Sequence, residues 1–168
     1  MKELILMRHG KSSWKHVFLD DFDRPLKKRG KKEALFMAEL LQDKKLLPDL
    51  ILASSAKRTR QTTELVNEIF ELGDSQVQFL DSFYLAGENE FIKELSRLNN
   101  SIERVMIIGH NPTMEFFTVL ISGEVHSFST AAVAHIELDI SSWKNLTNSK
   151  RNGKLLDLWR PKELITDH

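Results

Sequence analysis

Three short apolar runs, each followed at once by polar or titratable residues, restrict the possible folds of this chain more than any other feature. The runs lie at residues 4–7, 50–53 and 105–108. A continuous apolar run without alternation is typical of a strand that is covered on both faces, as in a parallel sheet. The sequence therefore predicts buried strands of a sheet with helices on both sides.

Segments with helical periodicity separate these runs. We expect four helices, whose apolar positions lie within residues 26–41, 62–70, 91–98 and 114–121, and further strands at 77–80, 132–138 and 155–159. This alternation predicts an α/β fold, a three-layer α/β/α sandwich with a mainly parallel, mixed central sheet. With 168 residues, the chain is expected to form a single domain over residues 1–168. Ser54 or Ser55 is the expected N-cap of the second helix and Asn111 that of the fourth, with Pro112 at its first helical position.

Composition narrows the classes of function. Lys+Arg and Asp+Glu balance at 24 each, whereas a nucleic-acid-binding protein usually shows a strong basic excess. The chain has no cysteine, which excludes disulfides, thiolate metal sites and cysteine nucleophiles. The first apolar run is too short for the core of a signal peptide, and no later stretch could span a bilayer. We therefore expect no nucleic-acid partner, no membrane association and a cytoplasmic location.

Cationic and titratable side chains follow each of the three apolar runs. Arg8 and His9 come directly after the first run, and His110 follows the third. Arg58 falls in the first turn of the helix after the second. Ligands of open α/β sheets bind beyond the carboxyl ends of the strands, so these four side chains are expected to converge. With no obvious local carboxylate partner they would repel one another, and a phosphoryl group suits the space between them because guanidinium groups donate to its oxygens in pairs.

Histidine adds nucleophilic chemistry to such a phosphate pocket. A neutral imidazole in line with the phosphorus can accept the phosphoryl group as covalent phosphohistidine, while the other groups neutralise the equatorial oxygens. Two other interpretations stay open: a structural hydrogen-bond network around a buried Arg–His pair, and metal binding through His9 and His110. The metal interpretation has no third ligand at suitable spacing and has arginines beside it, so we expect no metal and no other cofactor.

Four motifs occur in order along the chain. They are Arg8-His9-Gly10, Pro25-Leu26 with Gly30 and Ala34, Ser54-x-x-x-Arg58 with Gln61-Thr62, and Gly109-His110-Asn111-Pro112. Together they resemble the histidine phosphatase superfamily, the phosphoglycerate-mutase-like group. Within that group the small size and two further segments, Lys11-Ser12-Ser13-Trp14 and Asp21-Phe22-Asp23-Arg24-Pro25-Leu26, look like the SixA-type phosphohistidine phosphatases.

The resemblance implies a phosphoglycerate-mutase-like fold and a role for each residue of the cluster. It implies that His9 is the nucleophile and that Arg8, Arg58 and His110 form the phosphate pocket, with His110 also stabilising the transferring group. The implied enzyme is a metal-independent phosphatase with a phosphohistidine intermediate. Its implied substrate is a phosphorylated protein that carries phosphohistidine, or a small phosphorylated metabolite.

The four motifs do not include the general acid of the reaction. Many relatives place a glutamate after the edge strand, where this chain reads Leu80-Asp81-Ser82-Phe83-Tyr84. Asp81, Glu88 and Glu90 are the candidate acids, each with a surface carboxylate as the plainer interpretation. A phosphoramidate such as phosphohistidine needs less help from protonation, which relaxes the demand for an acid.

Several other residues are candidates for lesser roles. Lys15 and Asn111 are candidates for substrate contact, the alternatives being a solvated lysine and a helix cap, and Thr130 is a candidate for the lining of the pocket. Trp14, Trp143 and Trp159 are expected to pack against the rest of the protein rather than to bind substrate. The remaining histidines are expected to be structural or exposed: His16, His126, His135 and His168.

Three rival functions stay open at this point. The first is a small-molecule phosphomonoesterase or mutase on the same scaffold. The second is a non-catalytic module that binds phosphate or a phosphoprotein, and the third is a structural interaction domain. The sequence does not predict an oligomeric state.

Overall fold

The computed structural model describes residues 1–148 and 151–165. Within these residues the chain forms six strands and five α-helices. The strands are β1 Lys2–Arg8, β2 Leu50–Ser54, β3 Val77–Leu80, β4 Arg104–Gly109, β5 Val133–Leu138 and β6 Gly153–Trp159. The helices are α1 Lys28–Asp43, α2 Lys57–Phe70, α3 Glu88–Ser96, α4 Thr113–Ser122 and α5 Pro161–Leu164. No helix in this part of the chain is both long enough and apolar enough to cross a membrane.

The strands form one sheet in the order β3-β2-β4-β1-β5-β6. β3, β2, β4 and β1 run parallel, whereas β5 is antiparallel to β1 and β6 is antiparallel to β5. The mainly parallel, mixed sheet expected from the sequence is confirmed. The register pairs Arg8 with Gly109 at the carboxyl ends of β1 and β4. His9 and His110, the next residue on each chain segment, therefore leave the sheet side by side.

Apolar residues fill both faces of the sheet. Leu4 and Leu6 of β1 belong to a buried cluster with residues of α3 and α4, whereas Ile5 and Met7 belong to a second cluster with residues of α1 and α2. Successive side chains of a strand point to opposite faces, so one strand contributes to both clusters. Trp143 is fully buried, as expected. The three-layer α/β/α arrangement is confirmed, and it holds the strand ends in fixed positions.

The predicted helix caps are wrong. The N-cap of α2 is Ala56, so neither Ser54 nor Ser55 caps this helix. Ser54 is still part of β2, and its hydroxyl accepts the Ala56 N–H at 3.3 Å, before the helix begins. The N-cap of α4 is Pro112 rather than Asn111. The Asn111 amide instead donates at 2.9 Å to a backbone carbonyl of the loop before β5.

Candidate active site

A cavity of about 580 Å³ lies at the carboxyl ends of β1, β2 and β4. Its lining includes the four residues of the predicted cluster, Arg8, His9, Arg58 and His110. Arg8 ends β1 and His9 follows it, Arg58 lies in the first turn of α2, and His110 follows β4. The fold thus brings side chains from three distant parts of the sequence to one hollow.

His9 is held in a defined tautomer by its own loop. Its Nδ1 lies 2.7 Å from the carbonyl oxygen of Gly10. Because a carbonyl can only accept, Nδ1 carries the proton and Nε2 keeps a free lone pair in the neutral ring. Burial lowers the pKa of His9 well below its ordinary value, and the charges of Arg58 and Arg8 lower it further. His9 is therefore neutral, with an unprotonated Nε2, near pH 7.

The two arginines are anchored by oxygen acceptors. Arg8 Nη1 donates to the carbonyl of Phe128 at 3.0 Å. Arg58 donates from Nη1 to the carbonyl of Asp21 at 2.7 Å and from Nη2 to Asp21 Oδ2 at 3.0 Å. The Nε atoms of both arginines are buried and have no hydrogen-bond partner within the described residues. Buried donors are normally paired, so these nitrogens indicate a site that an anionic oxygen would complete.

Asp21 is a carboxylate partner of this cluster. Besides Arg58, the Asp21 carboxylate accepts from Arg24 Nε at 3.1 Å and from the Tyr84 hydroxyl at 2.6 Å. Partial burial raises the pKa of Asp21, but the hydrogen bonds from Tyr84, Arg58 and Arg24 and the charge of Arg58 outweigh it and lower the pKa to about 2. The expectation that the cluster has no carboxylate partner nearby is therefore wrong. Asp21 lies 37 positions before Arg58 in an aperiodic loop, so no spacing rule connects the two.

His110 stands beside His9, with ring centroids 5.2 Å apart. Its Nε2 lies 2.8 Å from Ser54 Oγ. The Ser54 hydroxyl, which also accepts the Ala56 N–H, can either donate to Nε2 or accept from it. Nδ1 is buried and unpaired in the part of the chain that the structure describes. Burial, followed by the charge of Arg58, lowers the pKa of His110 to about 4.

Helices α1 and α2 fix the loop that carries His9. The Gly10 N–H donates to Thr62 Oγ1 at 3.1 Å, and the Thr62 hydroxyl donates to the Arg58 carbonyl at 2.7 Å. The buried Thr62 side chain therefore links the His9 loop to the turn of α2 that carries Arg58. On the other side, a Cβ at Gly30 of α1 would lie 2.3 Å from the carbonyl oxygen of Lys11. Glycine at position 30 is what allows this close approach of helix and loop.

Asn111 and Thr130 line the cavity, whereas Lys15 is exposed and lies outside its lining. Asn111 Nδ2 donates at 2.9 Å to the Phe128 carbonyl, the acceptor that also holds Arg8. Asn111 therefore contributes to the position of Arg8. The structure does not bring Lys15 to the other candidates.

The three candidate acids lie in different places. Glu88, the first residue of α3, is half-buried and lines the cavity. Asp81 accepts a hydrogen bond from the Ser55 hydroxyl. Neither Asp81 nor Glu90 belongs to the lining, which leaves Glu88 as the one of these three that can reach a bound group.

Trp14 and Arg24 are further residues of the cavity wall that the sequence did not identify. Trp14 is 70% exposed and lines the cavity, so the expectation that it is a packing residue is wrong. The guanidinium carbon of Arg24 lies 3.5 Å from the Trp14 ring centroid, a cation–π contact. Arg24 Nη1 also donates to Ser12 Oγ at 3.0 Å. The segment 21–26 that resembles the SixA type contains Arg24 and Asp21, and it was the available signal for both.

The remaining histidines lie away from the cavity lining or outside the described residues. His135 is buried, His126 is half-buried and His16 is exposed, whereas His168 lies outside the described residues. Within residues 1–148 and 151–165, no group of three or more His, Cys, Asp or Glu side chains is placed to hold a metal ion.

Comparison with known proteins identifies the family. The model of the histidine phosphatase superfamily (branch 1) matches residues 4–82. An uncharacterised chloroplastic protein of Arabidopsis thaliana is 32% identical over 151 residues, which are 85% of this chain and 69% of the relative. The solved structure of a putative phosphohistidine phosphatase SixA from Agrobacterium tumefaciens is 30% identical, with a TM-score of 0.81 over 95% of this chain and 98% of that one. The chain therefore belongs to the histidine phosphatase superfamily.

A second solved structure refines this assignment. The protein histidine phosphatase SixA complexed with tungstate has a TM-score of 0.84 at 26% identity, over 97% of this chain and 99% of that one. Both SixA structures match along nearly the whole chain, so this protein is a SixA-type phosphatase within the superfamily. The resemblance carried by the four sequence motifs is confirmed, and so is the phosphoglycerate-mutase-like fold.

Proposed function

We propose that this phosphatase hydrolyses phosphohistidine in proteins through a covalent phosphohistidine on His9. The observation that carries the proposal is the state of His9 itself. Its Nδ1–H donates to the Gly10 carbonyl at 2.7 Å, so the nucleophilic lone pair is on Nε2. Arg8, Arg58 and His110 line the same cavity. A neutral nucleophile surrounded by fixed donors is what transfer of a phosphoryl group to histidine requires.

The reaction proceeds in two displacements. His9 Nε2 attacks the phosphorus, and the new N–P bond forms as the bond to the leaving nitrogen breaks. The equatorial oxygens meet Arg8, Arg58 and His110. The Nε atoms of both arginines and Nδ1 of His110 are buried and have no hydrogen-bond partner among the described residues. Water then attacks the phosphorus of phospho-His9, which releases inorganic phosphate and returns the electron pair to Nε2. Loss of one such electrostatic donor typically costs about a hundredfold or more in rate.

The leaving group favours phosphohistidine over a metabolite ester. An ester oxygen leaves as a strongly basic alkoxide unless an acid protonates it, whereas a phosphoimidazole protonated on its second nitrogen leaves as neutral imidazole. Asp21 has no proton to give at neutral pH because its pKa is about 2. Glu88 is the candidate acid that lines the cavity. We therefore expect Glu88→Gln to slow hydrolysis of an alkyl phosphate and to leave hydrolysis of phosphohistidine unchanged.

His9→Ala tests the covalent mechanism. We expect it to lose at least about a thousandfold in kcat toward p-nitrophenyl phosphate and toward a histidine-phosphorylated protein. It should keep the wild-type circular dichroism spectrum and incorporate no acid-labile phosphate. His16→Ala is the control, since His16 is exposed outside the cavity lining, and it should label normally and hydrolyse p-nitrophenyl phosphate at the wild-type rate. Turnover by His9→Ala at the wild-type rate would overturn the mechanism.

The substrate class and metal independence are tested on the wild-type protein. We expect kcat/KM to be higher for a histidine-phosphorylated protein than for sugar phosphates or phosphoglycerate, and the rate to be unchanged in excess EDTA. A higher kcat/KM for a small ester would assign a small-molecule phosphomonoesterase. Phosphate binding without labelling of His9 would assign a non-catalytic binding module. Loss of turnover in EDTA, restored by a divalent ion, would assign a metal-dependent enzyme.

A further inference from the structure

Large apolar side chains stand exposed around the mouth of the cavity. Trp14, Leu85 and Phe116 line the cavity, and their exposed fractions are 70%, 84% and 56%. Val17, Phe18 and Leu19, which follow Trp14 in the same loop, are also exposed, Phe18 at 99%. We call these six side chains the apolar rim.

The loop that carries half of the apolar rim begins and ends at the cavity. Trp14 lies in the cavity lining at one end of the loop. Asp21 holds Arg58 of the cavity wall at the other end. The residues between them, including Val17 and Phe18, therefore project from the edge of the mouth. Exposed apolar groups gathered on one surface of a soluble protein mark an interaction site more often than scattered single ones do.

A small ligand cannot cover the apolar rim. A phosphorylated metabolite bound inside the cavity would contact lining residues such as Trp14 and Phe116. Val17 and Phe18 are outside the lining and would stay in water. A surface that covers them while a phosphoryl group reaches His9 must belong to a macromolecule.

The charges beside the apolar rim favour a protein over a membrane. Lys15 and His16 come just before the exposed apolar residues 17–19, and the carboxylates of Asp20 and Asp23 come just after them. A polar, solvent-accessible border around apolar contacts is typical of a protein interface. Segments that lie on membranes carry mainly Lys and Arg on their polar face, because anionic lipids repel carboxylates.

We infer that the apolar rim is the docking surface for a phosphorylated protein substrate. The partner rests an apolar patch on Val17, Phe18, Leu85 and Phe116, and its phosphohistidine side chain projects from that patch into the cavity to reach His9. The inference rests on the proposed function, and it assigns recognition of the partner to residues that take no part in the chemistry.

The double variant Val17→Ser/Phe18→Ser tests this assignment. Both residues are more than 80% exposed, so the fold should be unaffected. The matched control is Leu47→Ser, an exposed leucine just before β2, at the amino-terminal end of the sheet and away from the cavity. The substrates are a panel of histidine-phosphorylated phosphotransfer domains, a short phosphohistidine peptide and p-nitrophenyl phosphate.

We expect the wild-type protein to show a higher kcat/KM for at least one phosphorylated domain than for the short peptide. The double variant should lose at least about tenfold of that kcat/KM, through KM, and keep the wild-type kcat/KM for the peptide and for p-nitrophenyl phosphate. Leu47→Ser should match the wild type on every substrate. Equal kcat/KM for domains and peptide in the wild-type protein, or no loss in the double variant, would overturn the docking surface.

Two further outcomes are distinguishable from these. If p-nitrophenyl phosphate is hydrolysed but no phosphohistidine substrate is, the proposed function itself fails and the docking surface falls with it. If the wild-type protein sediments with phosphatidylserine vesicles and the double variant does not, the apolar rim is a membrane-binding surface and the docking proposal is wrong.

Discussion

Asp21 contacts Arg58 at two points: its carbonyl oxygen accepts Nη1 at 2.7 Å, and its Oδ2 accepts Nη2 at 3.0 Å. The same carboxylate also accepts from Arg24 and Tyr84. Two hydrogen bonds, one at Nη1 and one at Nη2, keep the Arg58 guanidinium in one orientation relative to the cavity. Asp21 is a positioning residue for Arg58, since it does not belong to the cavity lining itself.

We expect Asp21→Asn to lower kcat toward p-nitrophenyl phosphate by about tenfold to a hundredfold, because small displacements of a catalytic group are that costly. Asp21 raises the pKa of His110, so the variant should also shift the titration of His110 to lower pH, which NMR would detect. Asp23→Asn is the control, as an exposed carboxylate of the same short 3-10 helix. A wild-type kcat in Asp21→Asn, or an equal loss in both variants, would contradict the positioning role.

Thr62 joins the His9 loop to the helix of Arg58, and its removal should loosen both. In Thr62→Val the buried Gly10 N–H loses its acceptor at 3.1 Å, which we expect to cost about 1–3 kcal/mol of the free energy of unfolding. The kcat toward p-nitrophenyl phosphate should fall as well. Both quantities are measured on purified protein, by urea unfolding and by steady-state kinetics.

Thr63→Val is the matched control for this prediction. The Thr63 hydroxyl is also buried, but it donates to the Thr59 carbonyl within the same helix and makes no contact that links α2 to the loop. We expect Thr63→Val to keep the wild-type kcat. Equal losses of kcat in the two variants would show that Thr62 acts only through general packing of α2.

The convergence of Arg8, His9, Arg58 and His110 could be predicted because it depends on local signals alone. Each residue follows an apolar run, and strands that run parallel bring their carboxyl ends to the same edge of a sheet. The order of the strands was not needed for this inference. The four-residue cluster can therefore be predicted from the positions of the strands and from the expectation that they run parallel.

The contacts of Asp21, Ser54 and Tyr84 could not be predicted in the same way. Asp21 and Tyr84 lie 63 positions apart, and their side chains form a hydrogen bond. Both residues lie in segments without helix or strand periodicity, so the sequence does not predict where their side chains point. The preference of serine for helix caps predicts Ser54 or Ser55 as the cap of α2, but the Ser54 hydroxyl instead contacts His110, 56 positions away. Long-range hydrogen bonds of this kind override local preference, and they are what completes the site.

Gly30 sets the distance between α1 and the His9 loop. A Cβ at this position would lie 2.3 Å from Lys11 O and 2.7 Å from Lys11 N, and backbone atoms cannot rotate away. We expect Gly30→Ala to destabilise the protein by about 1–3 kcal/mol through overpacking and to lower kcat, because the displaced loop carries the nucleophile. Gly73→Ala is the control, since a Cβ there makes an ordinary contact of 3.6 Å with Gln76. Unchanged stability in Gly30→Ala would contradict the close approach.

The neutral state of the two active-site histidines predicts how stability depends on pH. Burial lowers the pKa of His110 to about 4, whereas an unfolded histidine titrates near its ordinary value of about 6.5. Between these two values the unfolded chain binds more protons than the folded one, so the contribution of His110 to the free energy of unfolding falls as the pH drops from about 6.5 toward 4. His9, whose pKa is also lowered by burial, acts in the same direction.

We therefore expect His110→Gln to lose less stability than the wild-type protein between pH 6.5 and 4, as measured by urea unfolding at a series of pH values. His16→Gln, exposed and outside the cavity lining, should follow the wild-type curve. Saturating inorganic phosphate should raise the pKa of His110 in the wild-type protein, because a bound anion favours the charged ring. A His110 resonance that titrates at its ordinary value without phosphate would show that the ring is solvated, and the arrangement of buried donors around the phosphoryl site would then be wrong.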